Sequence, residues 1–346
     1  MIKVSFISID EAESIVKNTS LNLFQELFWW KIIEKGFKKK CKIALISNKG
    51  IDLLLIPIFF HKVGFINRVG IPLRGTFTPY LEFIELLEGI DDRTKEKCLL
   101  ELINRLLKEA AHWIEITFLF ENRTIYKSLK KLGFLIESPS TIILNTLRNE
   151  QELWHQMEGR ARNLVRKAEK NDLCVEFLGN ELKNVEFFYS MLERTFMKSG
   201  QKPPHAKAFY TLLINELITS KNLLFISIKK DLDIVAMGIF IYNNNEINFI
   251  SGTSTNDGNK YGANNLMHWE VIKFASKNNI KKYNFGGLGI PAIDKFKRSF
   301  GGNEVGYIRY VWMKSYVYLL FNLFISFKEK ILIPFRNWIN KIKIFY

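Results

Sequence analysis

The 346-residue chain is long for a single core, and its length predicts two domains of about 150 residues each. Hydrophobic residues make up 47% of the chain, which excludes a disordered protein. The 50 Lys and Arg residues against 35 Asp and Glu give a net charge of +15. That excess indicates an anionic partner, such as a nucleic acid, a phosphorylated metabolite or an anionic lipid surface.

Cysteine and histidine usage predicts a reducing compartment and no metal site. The three cysteines are dispersed and form neither a disulfide framework nor a metal-binding spacing. The five histidines include no H-x-x-x-H pair and no Cys/His cluster. The N-terminus has no signal-peptide pattern, and no segment reaches the roughly 18 apolar residues of a spanning helix. We therefore expect a cytoplasmic protein.

The first half of the chain predicts an α/β unit. In chain order it contains an N-terminal strand, a helix opening at Asp10, a helix over 22–35, two strands flanking the turn 48–50, a Gly/Pro/Thr-rich loop over 70–80, a long helix over 93–111, a strand over 113–120, a short helix ending near Gly133 and a final hairpin to 147.

The second half repeats this order. Helices over 180–198 and 206–219 precede strands over 224–228 and 234–242, and segment 52–59 resembles segment 233–240. The repeat indicates a duplicated domain; the alternative is that two α/β halves share a common order by chance. We predict an α/β (α+β) fold with domains over 1–149 and 150–313. A basic, aromatic, amphipathic tail follows over 314–346.

An ordered set of segments in the second half resembles the FemAB family of peptidoglycan aminoacyltransferases and related GNAT-like acyltransferases. The resemblance extends over about 20–313 and includes the pair Phe24-Gln25-x-x-x-Trp29 in the first half. The segments are Leu153-Trp154, RARNLVRKAEK over 160–170, VAMG over 235–238, SGTST over 251–255, YGANNLMHW over 261–269, YNFGG over 283–287 and FKRSFGG over 296–302.

This resemblance implies two tandem GNAT-like domains, each a mixed, mostly antiparallel sheet flanked by helices. It also implies that an amine attacks an activated acyl group, with aminoacyl-tRNA or acyl-CoA as the donor and no permanently bound cofactor. The acceptor it implies is a phosphorylated or lipid-linked precursor of the bacterial cell envelope, of peptidoglycan or polysaccharide. If aminoacyl-tRNA is the donor, tRNA is a further partner. No DNA-reading motif occurs, so DNA is not an expected partner.

The segment 296–302 predicts a short helix followed by a glycine turn. Acyl transfer develops negative charge on the carbonyl oxygen, and a positioned cation there is usually the largest catalytic contribution. The resemblance places Lys297, with Phe296 of the same pair, at the reaction centre. The alternative is an exposed basic helix face formed by Lys295, Lys297 and Arg298.

A basic helix over 160–170 is the strongest candidate for binding phosphate. It carries Arg160, Arg162, Arg166 and Lys167, and guanidinium groups match phosphate oxygens well. A sugar-nucleotide or lipid pyrophosphate and a tRNA backbone would both fit, whereas a solvated basic helix is the alternative.

Three glycine-containing segments are further candidates for substrate binding. Tyr261 and Gly262 precede a helix where GNAT enzymes hold the CoA pyrophosphate, but the loop lacks both the initial Gln/Arg and the second glycine. Gly286 and Gly287 end a strand in which Asn284 stands where the resembled family usually has Asp, so no general base is assigned. The resemblance makes the loop with Arg74 and Tyr80 an acceptor-site wall.

The tail beyond residue 314 suits an interfacial helix on an anionic leaflet. Residues 271–346 hold 14 Lys and Arg against three acidic residues, a net charge of +11. An apolar core over 316–327 precedes Lys and Arg residues interleaved with aromatic ones, and Pro334 would divide the segment. The alternatives are a helix packed on the second domain or a dimer contact.

Three functions follow from these observations. The first is an acyltransferase that moves an acyl or aminoacyl group onto an amine of a cell-envelope precursor, peripheral at the inner face of the cell membrane. The second is an acyl-CoA-dependent N-acetyltransferase of an amino-sugar. The third is a non-catalytic nucleic-acid- or membrane-binding protein on a degenerate GNAT scaffold.

Overall fold

The computed structural model describes residues 1–17, 19–119, 121–198 and 200–327. The first half contains strands β1 (Ile2–Ile7), β2 (Lys40–Asn48), β3 (Ile51–Val63), β4 (Ile66–Ile71), β5 (Ile84–Glu85), β6 (Trp113–Phe118), β7 (Leu135–Glu137) and β8 (Ser140–Asn145). Its helices are α1 (Ile9–Val16), α2 (Leu27–Gly36), α3 (Asp92–Lys108) and α4 (Arg123–Lys131).

The second half has the same kinds of elements. Its strands are β9 (Cys174–Phe177), β10 (Leu223–Lys230), β11 (Asp233–Tyr242), β12 (Glu246–Ser254), β13 (Lys282–Gly287), β14 (Asn303–Gly306) and β15 (Ile308–Met313). Its helices are α5 (Glu150–Gln156), α6 (Gly159–Lys170), α7 (Leu182–Met197), α8 (Lys207–Thr219), α9 (Asn256–Tyr261), α10 (Ala263–Lys277), α11 (Pro291–Arg298) and α12 (Ser315–Phe327).

Local sequence signals explain most of the element boundaries. The β2–β3 hairpin turns at Lys49 and Gly50, both with positive φ, as the predicted turn requires. Helix α1 begins one residue before the predicted Asp10, because Ser8 caps it in a reciprocal box with Glu11. The helix predicted over 22–35 is divided: a short 3-10 turn precedes α2, and Glu26 between them is extended.

The predicted fold of two mixed, mostly antiparallel sheets flanked by helices is confirmed. The first sheet has the order β1-β2-β3-β4-β6-β15-β7, with β5 paired to β3, and the second has the order β9-β10-β11-β12-β13-β8-β14. Each has one parallel pair, β4 with β6 and β12 with β13, joined through helices. The shared order of antiparallel strands and crossover supports the predicted duplication.

The two sheets exchange one strand each. Strand β8, from the first half, lies between β13 and β14 of the second sheet, and β15 lies between β6 and β7 of the first. The final hairpin predicted up to 147 is therefore wrong, because β7 and β8 pair with different sheets. The division into units over 1–149 and 150–313 stays a prediction. Each of these units contributes one strand to the sheet of the other unit.

Two hydrophobic cores hold these layers together. One core spans the first sheet, helices α7 and α8, and one face of the second sheet. The other lies between the opposite face of the second sheet and helices α6 and α10. Because the first core includes elements from both halves, the two sheets are fixed against each other along a shared apolar face, and the cleft described next lies at its edge.

Candidate functional site

A cleft of about 350 Å³ lies where the two halves meet. Its walls come from the loop after β4, from β12, from the end of β13 and from the chain around β15. The lining residues are Arg74, Gly75, Phe77, Thr78, Pro79, Asn248, Phe249, Ile250, Phe285, Gly286, Gly287, Lys297, Tyr307 and Arg309. The first wall is fixed from below, because the indole of the buried Trp29 donates to Thr78 Oγ1 at 2.8 Å.

Lys297 is buried at one side of this cleft, with only 8% of its surface exposed. Its Nζ donates to the carbonyl oxygens of Gly286 (3.2 Å) and Gly287 (2.6 Å). Burial lowers the pKa of Lys297, and Asp294 partly offsets that effect. An ammonium has three N–H donors, and within the described part of the chain two of them have acceptors. One donor is therefore available for an oxygen of a bound substrate.

The position of Lys297 follows from the segment around it. Pro291 occupies the first turn of α11, where its fixed φ favours helix initiation. Gly301 then turns the chain with φ of 81°, and a Cβ there would meet the carbonyl oxygen of Gln156 at 2.4 Å. The predicted helix and glycine turn are confirmed, and the close approach explains why this position needs glycine.

An aromatic cluster behind α11 holds a histidine that the sequence analysis did not select. His268 is buried among Phe285, Phe296 and Phe300, and its Nδ1 forms a hydrogen bond with the hydroxyl of Tyr283. Burial, reinforced by the charge of Lys297, lowers the pKa of His268 to about 3. The imidazole is therefore neutral, and its contacts indicate a packing role.

Two arginines at the cleft share one carboxylate. Arg74 donates to Glu137 at 2.7 Å, and Arg309 donates to the same carboxylate at 3.1 Å. Burial raises the pKa of Glu137, but the two arginines outweigh it and lower the pKa overall. Two cations against one anion leave an uncompensated positive charge at the cleft. Arg74 was a predicted site residue, whereas Arg309, a charged residue in an otherwise apolar strand, was not predicted.

A second basic cavity, of about 500 Å³, adjoins this cleft and shares Arg74 and Gly75 with it. Its other cationic side chains are Lys38, Lys39 and Arg68. Arg68 is paired at 2.6 Å with the buried Glu115, whereas burial and the charge of Arg68 lower the pKa of Lys39. Lys38, Lys39 and Arg68 beside Arg74 give this cavity a positive character that suits an anionic ligand.

The basic helix α6 does not reach the cleft. The Arg162 guanidinium donates to the carbonyl oxygens of His155 and Met157, both at 2.9 Å, and so caps the end of α5. Arg166 lies over the ring of Trp154, and Lys167 is exposed. The structure thus assigns Arg162 to holding α5 rather than to a free phosphate-binding surface.

Phe296 and Arg160 line a smaller pocket between α6 and α11, about 130 Å³ in volume. Phe296 therefore lies on a different side of α11 from its neighbour Lys297, and it packs edge-on against the ring of Phe300. The predicted catalytic pair is not brought together in one cavity. Of these two residues, Lys297 lines the cleft between the halves and Phe296 does not.

Tyr261 and Gly262 also lie away from the cleft. Lys230 sits 4.0 Å over the Tyr261 ring, and Gly262 adopts φ of 83° at the entry to α10. A Cβ at Gly262 would meet the carbonyl oxygen of Leu164 at 2.4 Å, so α6 packs directly on this entry. Asn264 fills the remaining polar space by donating to Asn259 at 2.9 Å.

Gly286 and Gly287, predicted to bind substrate, line the cleft, and Tyr80 lies buried close behind it. Asn284 is fully buried, and its Oδ1 accepts from Thr141 at 2.6 Å and from the Gly286 N–H at 2.9 Å. This side chain therefore orients the glycine turn. Among the described residues, no group of His, Cys, Asp and Glu is arranged to hold a metal ion.

Comparison with known proteins identifies the relatives of this arrangement. Residues 221–309 match the sequence model of the FemAB family. Aminoacyltransferase FemB of Staphylococcus epidermidis is 32% identical over 74 residues, which are 19% of this chain and 18% of that protein. This local match includes only about a fifth of either chain.

Similarity to solved structures extends over nearly the whole chain and shows the fold. The crystal structure of FemX superposes with a TM-score of 0.70 and 15% identity over 92% of this chain and 99% of that one. A tandem GNAT protein from the clavulanic acid biosynthesis pathway superposes with a TM-score of 0.56 and 5% identity, over 90% of this chain and 98% of that one. The structure of L-PGS from Bacillus licheniformis superposes with a TM-score of 0.54 and 12% identity, over 92% of this chain and 95% of that one.

Proposed function

We propose that this protein is an aminoacyltransferase of the cell envelope, because part of its sequence matches the FemAB family and its fold resembles tandem GNAT proteins. It transfers an aminoacyl group from an activated ester onto an amine of an envelope precursor, in the cleft between the two halves. The acceptor nitrogen attacks the carbonyl carbon, the ester oxygen leaves with its electron pair, and the proton lost by nitrogen balances the one gained by the leaving oxygen. The resemblance stated from the sequence supports this reaction class.

The observation that carries the proposal is the position of Lys297. Its ammonium is buried, is fixed by two glycine carbonyls and borders the cleft, so its charge does not need to reorganise when the carbonyl oxygen becomes negative. A fixed cation in a water-poor site stabilises such an oxygen much more than one in water. Lys297 also lies inside the segment matched to the FemAB family.

The direct test is transfer by Lys297→Ala compared with Lys295→Ala. Lys295 lies on the same helix and is exposed, so its variant removes a charge without touching the cleft. We expect Lys297→Ala to lower the rate of transfer by about 10²–10³-fold, as for loss of an oxyanion donor, and Lys295→Ala to retain the rate. A folded Lys297→Ala variant with full activity would remove Lys297 from the mechanism.

We propose aminoacyl-tRNA rather than acyl-CoA as the donor. In ordinary GNAT enzymes the CoA pyrophosphate lies at the strand–helix junction that corresponds to the entry of α10. Here α9 occupies that connection, and Gly262 packs against the backbone of Leu164 in α6. This packing leaves little room for a pyrophosphate at the helix N-terminus.

Titrations with CoA and with a mixture of charged tRNAs separate the donors. Saturable binding of charged tRNA without affinity for CoA agrees with the proposal. Tight binding of CoA would favour the amino-sugar N-acetyltransferase instead, and binding of tRNA with no transfer would favour a non-catalytic scaffold.

The acceptor we propose is a phosphorylated or lipid-linked envelope precursor. The basic cavity with Lys38, Lys39 and Arg68 joins the cleft through Arg74, so a phosphate bound there would leave the rest of the precursor within the cleft. The concentration of cationic side chains around Lys39 favours an anionic ligand at this place. Arg160, Arg166 and Lys167 remain available on another surface for a polyanion such as tRNA.

We further propose that α12 contacts an anionic membrane surface at the inner face of the cell membrane. Val317 is buried and Phe321 packs against Trp113 of the first half, whereas Leu319 and Leu323 are exposed. No described helix is long and apolar enough to cross a membrane. The basic residues predicted to continue this surface, from Lys328 to Lys343, and Pro334 lie outside the described residues.

A further inference from the structure

Two arginines from distant parts of the chain meet at the cleft between the halves. Arg74 comes from the loop after β4 and Arg309 comes from β15, and both line the cleft. Both donate to the carboxylate of Glu137, at 2.7 Å and 3.1 Å respectively. We call Arg74 and Arg309 the arginine pair.

Arg309 is the more enclosed member of the arginine pair. Its side chain is 16% exposed, whereas that of Arg74 is 45% exposed. In the sheet register Arg309 lies opposite Thr117 on one side and Glu137 on the other, so these three side chains stand on one face. Its Nε donates to Thr117 Oγ1 over a long 3.4 Å, and its Nη1 donates to Glu137. Among the described residues, a shared and half-exposed carboxylate therefore compensates this enclosed charge incompletely, which costs stability.

The arginine pair has donors left over after these bonds. A guanidinium group carries five N–H groups on three nitrogens. Within the described part of the chain, the Arg74 guanidinium engages Glu137 through Nη2, and no acceptor lies at its Nε or Nη1. These two nitrogens remain as donors for a ligand, at a residue that lines the cleft.

Tyr307 adds a hydroxyl beside the arginine pair. It lies two residues before Arg309 and also lines the cleft. Burial raises the pKa of Tyr307, and the charges of Arg309 and Arg74 oppose the rise, so both guanidinium groups act on this hydroxyl. A Cβ built on Gly287 would lie 3.6 Å from the hydroxyl, and the Gly287 carbonyl oxygen accepts from Lys297 at 2.6 Å. Tyr307 and Gly287 thus connect the arginine pair to the proposed reaction centre along the cleft.

The chemistry of this wall defines the group that it would bind. Two guanidinium groups and a hydroxyl present N–H and O–H donors, and Glu137 neutralises one of the two charges. Guanidinium donors match the oxygens of carboxylates and phosphates, and Glu137 itself shows that both arginines can reach one carboxylate. A neutral hydroxyl of a ligand would leave the second charge uncompensated, whereas an anionic group would compensate it.

We propose that the arginine pair and Tyr307 bind an anionic oxygen group of the acceptor, while the acceptor amine approaches the carbonyl group held at Lys297. The inference rests on the proposed function, since it assigns a subsite of the same cleft. Two sources provide such a group, the carboxylate of a peptide precursor and the phosphate of a sugar phosphate. Their recognition chemistry is shared, and paired probes distinguish them.

The experiment measures dissociation constants of the full-length protein for two pairs of compounds by ligand-observed NMR. The carboxylate pair is Nα-acetyl-lysine and Nα-acetyl-lysine amide. The phosphate pair is glucosamine 6-phosphate and glucosamine. We expect the anionic member of one pair to bind about tenfold more tightly, as for one charge-assisted hydrogen bond, and that pair identifies the source.

Variants with opposite expected effects connect this preference to the arginine pair. Arg309→Gln should reduce the preference to about twofold or less, whereas Arg309→Lys, which keeps the charge without the planar fork, should retain part of it. Glu137→Gln should increase the preference severalfold, because it removes the anion that competes with the ligand. A purely structural ladder of Thr117, Arg309 and Glu137 would give no such increase. Arg298→Gln removes a guanidinium from an exposed pair with Glu304, outside the cleft, and should leave the preference unchanged.

The outcomes separate the inference from the proposed function. All variants are compared after their circular dichroism spectra match that of the wild type. If the probes bind without preference for the anion, if Arg309→Gln keeps the preference, or if Glu137→Gln fails to raise it, the arginine pair is not an anion site. The same conclusion holds if neither member of either pair binds. In each case the proposed function is decided separately, by transfer with the Lys297→Ala and Lys295→Ala variants.

Discussion

The burial of Glu246 has a consequence for stability that depends on pH. Burial raises the pKa of this carboxyl from 4.5 to about 7, although Lys282 and Asn248 oppose the rise. As pH increases from 4.5 to 7, the unfolded chain loses this proton before the folded one does. The folded state is therefore progressively destabilised, by about 1 kcal/mol at pH 5 and about 3 kcal/mol at pH 8.

Glu246→Gln removes this titration while keeping the size of the side chain. The free energy of unfolding of the variant, relative to the wild type, should increase by about 2 kcal/mol or more between pH 5 and pH 8. Urea unfolding followed by tryptophan fluorescence at the two pH values measures this difference. Any constant effect of the amide cancels, because only the change with pH is compared.

Asp233→Asn is the matched control, since its carboxylate is exposed, and its unfolding free energy should follow that of the wild type at both pH values. If the Glu246→Gln and wild-type curves are parallel between pH 5 and pH 8, Glu246 is ionised in the folded protein at pH 5. The reasoning from burial would then be refuted.

Three further predictions concern the tail, a turn and a buried ion pair. Leu323→Glu should weaken sedimentation with vesicles that contain phosphatidylglycerol severalfold, because it places a charge on the exposed apolar side of α12. Gly301→Ala should lower the unfolding free energy by about 3 kcal/mol or more in urea titrations, because the added Cβ would meet the Gln156 carbonyl oxygen. Glu115→Ala should cost about 3 kcal/mol in the same assay, because it leaves the mostly buried Arg68 unpaired.

Each of these predictions has a matched control. Leu232→Glu changes an apolar residue that is 96% exposed on a distant hairpin, and equal vesicle binding by both variants would contradict a role for α12. Gly306→Ala adds a Cβ into open space and should leave the unfolding free energy nearly unchanged. If Gly301→Ala is as stable as Gly306→Ala, the steric argument is contradicted. Glu186→Ala breaks an exposed pair with Lys207 and should lower the unfolding free energy by less than about 1 kcal/mol. If Glu115→Ala costs no more than that, the argument from burial of the Arg68–Glu115 pair is contradicted.

Local signals allowed much of the architecture to be predicted. The hairpin over the turn 48–50 depends on residues within the turn itself, and the glycine after α11 marks the end of that helix in the sequence. Lys297 belongs to a continuous motif, so it could be selected as a candidate without knowledge of the fold. In each case the residues that determine the structure are neighbours along the chain.

The missed residues depend on contacts between distant segments. Glu246 lies at the start of an apolar strand, and only the β12–β13 register places it beside Asn248 and Asn284. Arg309 reaches the cleft because β15 pairs with β6, nearly 200 residues earlier. Conversely, the cations of α6 look alike in the sequence, and only the fold shows that Arg162 is engaged with α5.

The exchange of β8 and β15 between the two sheets limits how this protein can move and how it can evolve. A duplicated pair joined by one linker can swing apart or be recombined half by half. Here each sheet contains a strand that the other half encodes, so a cut near 150 removes an internal strand from both sheets. Opening of the cleft must then come from its loops, and a gene fragment that encodes one half lacks a strand that its own sheet needs.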